Sequence, residues 1–139
     1  MKYFSLDELT RSETALCKGI DNTPSAEVVR NLELLTKCVL DLVREEWGSP
    51  IIVNSGYRSE ALNKAVGGAK SSYHLQGMAA DIRPQRGSLS ALYDLIVRMY
   101  LRGVLGLSEC YVDYRKGYIH IAYDNGGFSA WPFLTPIYD

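Results

Sequence analysis

Apolar positions along the chain follow two different periods. From Ser25 onward, Val28, Val29, Leu32, Leu35, Val39, Leu42 and Val43 recur at intervals of three and four, which predicts an amphipathic helix over roughly residues 25–47, stopped by Gly48 to Pro50. SLSALYDLIVRMYLRG predicts a second, with Ser88 or Ser90 as cap, Leu92, Leu95, Ile96, Met99 and Tyr100 on one stripe, and Gly103 behind it. Near the start, Ser5 is an N-cap candidate for a short first helix, and Gly19 to Pro24 break the chain into a loop. The other segments read as strands. Ile51 to Val53 is a short β-branched run ended by Asn54, Ser55 and Gly56, MAADIRP is a run ended by Pro84, and SECYVDYRKGYIHIAYD is a pair of strands around the turn RKG. SEALNKAV fits a short helical turn, GGAKSS a flexible connection, and GGFSAWPFLTPIYD an irregular, aromatic tail. Helix, helix, strand, small helix, strand, helix, hairpin is the order of an α+β fold, a small, mostly antiparallel sheet with helices packed on it.

Composition narrows the function classes. The 139 residues suit one domain, 1–139, and 47% apolar with 22% charged residues is ordinary for a globular protein. A formal net charge of −1 offers no global attraction to nucleic acid or to an anionic membrane, so neither is expected as a partner. Cys17, Cys38 and Cys110 are odd in number and widely spaced, as expected of reduced thiols rather than a disulfide framework. MKYFSLDELTRSETA lacks the apolar run of a secretory signal, and no apolar stretch is long enough to span a membrane; synthesis in the cytoplasm is expected.

The candidate chemistry centres on the only two histidines, His74 and His120. A histidine-based metal site would need both. His74 lies in a small-residue loop ahead of a strand, and His120 is mid-strand, facing opposite to Ile119 and Ile121. Asp81, among Ala79, Ala80 and Ile82, needs a partner or a metal to offset desolvation, and Arg58 or a backbone cap would also serve. Residue type and spacing leave a metal site and ordinary structural histidines both open. A Cys110–His120 nucleophilic pair lacks any context that would depress the thiol pKa. Trp131, Phe133 and Tyr138 fit either a stacking platform or packing.

SGYRS (55–59), SSYHLQGMAAD (71–81) and YIHI (118–121), in that order, resemble the motifs of the zinc D-Ala-D-Ala carboxypeptidase family. The opening FSLDELTRSETA resembles its short, single-domain, phage-endolysin-like branch, so the likeness covers nearly the whole chain. The resemblance implies a hedgehog/D-Ala-D-Ala-peptidase-like fold, a zinc ion held by His74, Asp81 and His120, and Arg58 and Ser72 at the substrate. It further implies hydrolysis of D-amino-acid peptide bonds in peptidoglycan stem peptides or cross-links by metal-activated water, in a protein that reaches the cell wall by release or by another export route; a monomer is expected. A noncatalytic zinc-containing module that binds cell-wall peptide is the alternative. Larger members carry an acid three positions before the last histidine, where this chain has Gly117. The base must then come from Asp113 or, second, Glu109. If residues 114–117 form the hairpin loop, both share a face with His120; if RKG forms a three-residue loop with a bulge, Cys110, Val112 and Tyr114 share it instead.

Overall fold

Among the described residues each α-helix that starts afresh from a loop begins at a serine whose side chain closes its first turn. Ser5 Oγ accepts the Glu8 N–H while the Glu8 carboxylate accepts the Ser5 N–H, a capping box that starts α1 (Leu6–Thr10). Ser12 caps α2 (Glu13–Lys18), and Gly19, at φ 64°, ends it. The predicted long helix is present as α3 (Ala26–Leu35), a π turn (Thr36–Leu40) and α4 (Asp41–Trp47) without a break. The Thr36 hydroxyl donates to the Leu32 carbonyl where the ladder widens. This turn shifts the phase of the apolar stripe: Leu40 is 1% exposed, and Leu42, expected on the stripe, is 39% exposed. Ser88 caps α6 (Leu89–Leu101). The computed structural model describes residues 1–125 and 131–138.

Four antiparallel strands, β1 (Ile51–Ser55), β2 (Ala79–Pro84), β3 (Glu109–Asp113) and β4 (Tyr118–Ala122), form a sheet of order β1-β2-β4-β3. With helices on it, the fold is α+β. Strand alternation divides the sheet. Ile51, Ala80, Ile82, Cys110, Val112, Ile119 and Ile121 point to one side and join Leu32, Leu35 and Val39 of the long helix and Leu92, Ile96 and Met99 of α6 in the core. The other side carries Asp81 opposite His120, and His120 opposite Tyr111. β1 runs two residues beyond its predicted end. A register irregularity between Val53 and Ser55 sets Ser55 opposite Asp81.

Part of the aromatic tail is ordered against the outer edge of β3. The Cys110 N–H donates to the Pro132 carbonyl and the Ile137 N–H to the Val112 carbonyl. Phe133 is 9% exposed and packs edge-on to Tyr100, whereas Trp131 and Tyr138 are exposed. Residues 126–130, the start of the predicted irregular tail, lie outside the described residues. Among the described residues no helix is long and apolar enough to cross a membrane.

Candidate metal centre

Ser72 begins the construction. Its Oγ accepts the His74 N–H and opens a short 3-10 turn (Tyr73–Gln76), which Gly77 closes at φ 73°. A Cβ on Gly77 would also stand 2.8 Å from the Val28 carbonyl oxygen, so both backbone angle and packing against α3 call for glycine. Within this turn His74 Nδ1 lies 2.7 Å from the Gly56 carbonyl oxygen. A carbonyl only accepts, so Nδ1 carries a proton, and Nε2 is the nitrogen turned to the site. That Nε2 is 3.2 Å from Asp81 Oδ1.

His120 is arranged with its ring nitrogens reversed. Its Nδ1 is 2.9 Å from Asp81 Oδ1, and its Nε2 is 2.9 Å from Glu109 Oε1. Tyr111 stacks on the imidazole at 4.8 Å between centroids. Each histidine therefore has one nitrogen held by an oxygen at the periphery and the other turned toward Asp81, as metal-binding histidines are oriented by carbonyls and carboxylates. His74, Asp81 and His120 are all buried, and one donor atom from each lies within 4.8 Å of the others. Two imidazole nitrogens and a carboxylate oxygen suit zinc, which takes nitrogen and oxygen ligands and in catalytic sites keeps an open position.

The electrostatics favour a cation. Burial opposes charge on Asp81, but the hydrogen bonds from His120 and His74 outweigh it and hold the carboxyl well below the usual carboxylate range. Burial likewise opposes charge on His120, yet Asp81 and Glu109 lift it to about 9. Without an ion, the carboxylates draw a proton to the position a metal would fill. The cluster opens into a cavity of about 390 Å³ bordered by Arg58, Glu109, Tyr111, Lys116, Tyr118 and the 66–72 loop.

The family model described as Peptidase M15 matches residues 2–122. The chain belongs to the peptidase M15 family. Over 80 residues, 57% of this chain, it is 44% identical to the zinc D-Ala-D-Ala carboxypeptidase of Streptomyces albus G. The matched stretch spans 30% of that protein's length.

In this member of the family the other sequence candidates take distinct positions. Arg58 donates from Nε to Ser55 Oγ (3.0 Å), from Nη1 to Asn63 Oδ1 (3.2 Å) and from Nη2 to Asp81 Oδ2 (3.3 Å), so it steadies the carboxylate as well as bordering the cavity. The hairpin adopts the register with residues 114–117 in the loop, pairing Asp113 with Tyr118 and Tyr111 with His120. Glu109 borders the cavity. Asp113 shares the His120 face, but it is 2% exposed and its Oδ1 accepts the Lys116 N–H in the turn. Gly117 sits at φ 78°, where its N–H donates to the Asp113 carbonyl, a turn position that L side chains rarely adopt. Cys110 points into the core, and burial pushes its thiol pKa strongly upward.

Sequence reasoning missed three contributors. The Gly56 carbonyl, which sets the His74 tautomer, is a main-chain group and leaves no side-chain signal. Asn63, buried in α5 (Glu60–Ala65), bridges Arg58 to the Ala69 carbonyl. Gly68, read as part of a flexible connection, is tightly packed instead. A Cβ there would fall 2.0 Å from Asn63 Oδ1 and 3.0 Å from Arg58 Nη1, and the Gly68 N–H donates to the Asn63 carbonyl. The adjacent glycines in GGAKSS were its only trace in the sequence.

Proposed function

We propose that this chain is a zinc metallopeptidase that hydrolyses D-amino-acid peptide bonds in peptidoglycan stem peptides or cross-links. The observation that carries this reading is the convergence of His74 Nε2, Asp81 Oδ1 and His120 Nδ1, with the second nitrogen of each ring already committed elsewhere. Its substrate class rests on the name of the Streptomyces relative and on the motif resemblance. Bound there, zinc supplies Lewis acidity, polarising a scissile carbonyl and acidifying water.

The remaining roles belong to the chain's own side chains. Arg58 has five N–H groups and spends three on Ser55, Asn63 and Asp81, so two are left for a substrate carboxylate or a developing oxyanion. Ser72 uses Oγ to accept from His74 and keeps its own O–H for substrate. Glu109 and Asp113 are the candidate proton carriers, and the geometry favours Glu109. Oε1 of Glu109 accepts from His120 while the carboxylate borders the cavity, whereas Asp113 is occupied in the turn. A carboxylate so held can take a proton from water and pass it to the leaving amine.

One observation favours the noncatalytic alternative: Gly117, where larger family members carry an acid, is a left-handed turn glycine. Incubating the zinc-loaded chain with cross-linked muropeptides and with a stem peptide ending in D-Ala-D-Ala, followed by mass spectrometry, separates the two. The expected outcome is a new cleavage product that chelation abolishes, with Glu109→Gln lowering kcat about 10²–10⁴-fold and Asp113→Asn having the smaller effect. Binding without cleavage by fully zinc-loaded protein would establish the cell-wall binding module instead.

A further inference from the structure

Beyond Arg58 the site face continues into a second depression, a groove of about 620 Å³ that contains none of the three metal-centre residues. Residues 52–55 of β1 line it in succession. Neighbouring residues on a strand point to opposite faces, so a groove bordered by four in a row takes in the strand's edge, and Arg83, opposite Ile52 on β2, reaches it over the sheet face. β1 is an edge strand of the sheet, and among the described residues that side of its main chain has no strand partner. The facing wall is built from residues 11–14 at the start of α2 and from Leu62 and Val66 at α5. Arg58 and Val66 also border the metal cavity, so the two depressions share a wall.

The charges in this groove are unbalanced. Arg11, Arg58 and Arg83 border it with the carboxylate of Glu13, but Arg58 is already paired with Asp81 at 3.3 Å, and among the described residues Arg83 has no acidic partner. Arg83 is exposed, and its Nε donates to Asn54 Oδ1 at 3.0 Å, which orients the guanidinium and leaves four of its five N–H groups free of that bond. Arg11 is drawn to the exposed Asp7 at 3.8 Å, a weak surface pair. Apolar contact comes from Ile52 and the exposed Val66.

We infer that this groove is a substrate subsite in which an extended peptide lies along the open edge of β1 and Arg83 holds a carboxylate branching from that peptide. The inference rests on the peptidase reading for the identity of the ligand as substrate. Main-chain pairing to an open edge gives affinity that tolerates many side chains, and an oriented guanidinium adds selection for a carboxylate. Acidic stem-type peptides are therefore preferred over their amidated counterparts.

Two fluorescent stem-type peptides, identical except that one branching carboxylate is replaced by a carboxamide, provide the test. Their Kd values are measured by anisotropy on the full chain, both zinc-loaded and chelated, and their KM values on the zinc-loaded chain. The wild type is expected to favour the carboxylate form about tenfold, one charge-assisted contact's worth. Arg83→Gln should reduce that preference to within about twofold at an unchanged melting temperature, and Arg86→Gln, the same charge change at an exposed residue outside the groove, should keep it. Asn54→Ala, which removes the support but leaves the charge, should fall between. Equal affinity of the wild type for both peptides, or an undiminished preference in Arg83→Gln, would overturn the inference. Should the zinc-loaded wild type cleave neither peptide while the Arg83-dependent preference persists, the peptidase reading falls and the carboxylate site stands.

Discussion

The two faces of the four-stranded sheet are made from alternate residues of the same strands, yet they hold together by different means. Ile82 and Ile121 are fully buried among aliphatic side chains, where contact is non-directional and many shapes of similar volume would serve. Their chain neighbours Asp81 and His120 are almost as buried, at 5% and 6% exposure, but are surrounded by donors and acceptors with defined directions. Asp81 alone receives Arg58 on one oxygen and both histidines on the other. Equal burial thus conceals unequal tolerance. On the core face a substitution changes volume; on the site face it leaves a charge or a polar atom without its partner.

Adjacent residues on β2 allow that contrast to be broken most directly. Asp81→Ala removes the counter-charge shared by Arg58 and the histidines; it should abolish zinc retention on metal analysis and cost about 3–5 kcal/mol in denaturant unfolding. Stoichiometric zinc in that variant would remove the metal centre from this location. Ile82→Ala, one residue along and on the opposite face, should cost about 2–5 kcal/mol through the cavity it leaves, while zinc per folded chain stays at the wild-type level. Loss of metal from folded Ile82→Ala protein would mean that the two faces are not separable.

A smaller effect, carried by pH, sharpens the comparison because only the site face titrates. In chelated protein the His120 pKa is raised from 6.5 to about 9, so its contribution to stability is complete below pH 6.5 and is lost as pH climbs through about 9. The Asp81 pKa is lowered from 3.8, so its contribution is present above that value and is lost as pH falls below it. Chelated protein should accordingly melt highest between pH 3.8 and 6.5. Zinc requires a neutral His120, so the melting-temperature difference between zinc-loaded and chelated samples should widen from pH 6.5 to 9. A constant difference across that interval would exclude this linkage.

Much of this molecule can be read along the chain, because helix stripes, serine caps and strand alternation are properties of residues a few positions apart. Of the stripe from Val28 to Val43, Val28, Leu32, Leu35, Val39 and Val43 are buried as their spacing predicts, the cap at Ser5 is present, and the α+β order follows from such patterns. Motif order brought His74, Asp81, His120 and Arg58 together as candidates. The choice between the two hairpin registers lay beyond such reading, since it depends on the closing geometry of residues 114–117, and it decides whether Glu109 or Cys110 turns toward His120. Likewise the π turn that withdraws Leu42, the Gly56 carbonyl that commits His74 Nδ1, and the packing of Gly68 on Asn63 appear only when distant segments meet. Local patterns record which residues can be buried; the direction in which each buried donor points is set by partners far away in sequence.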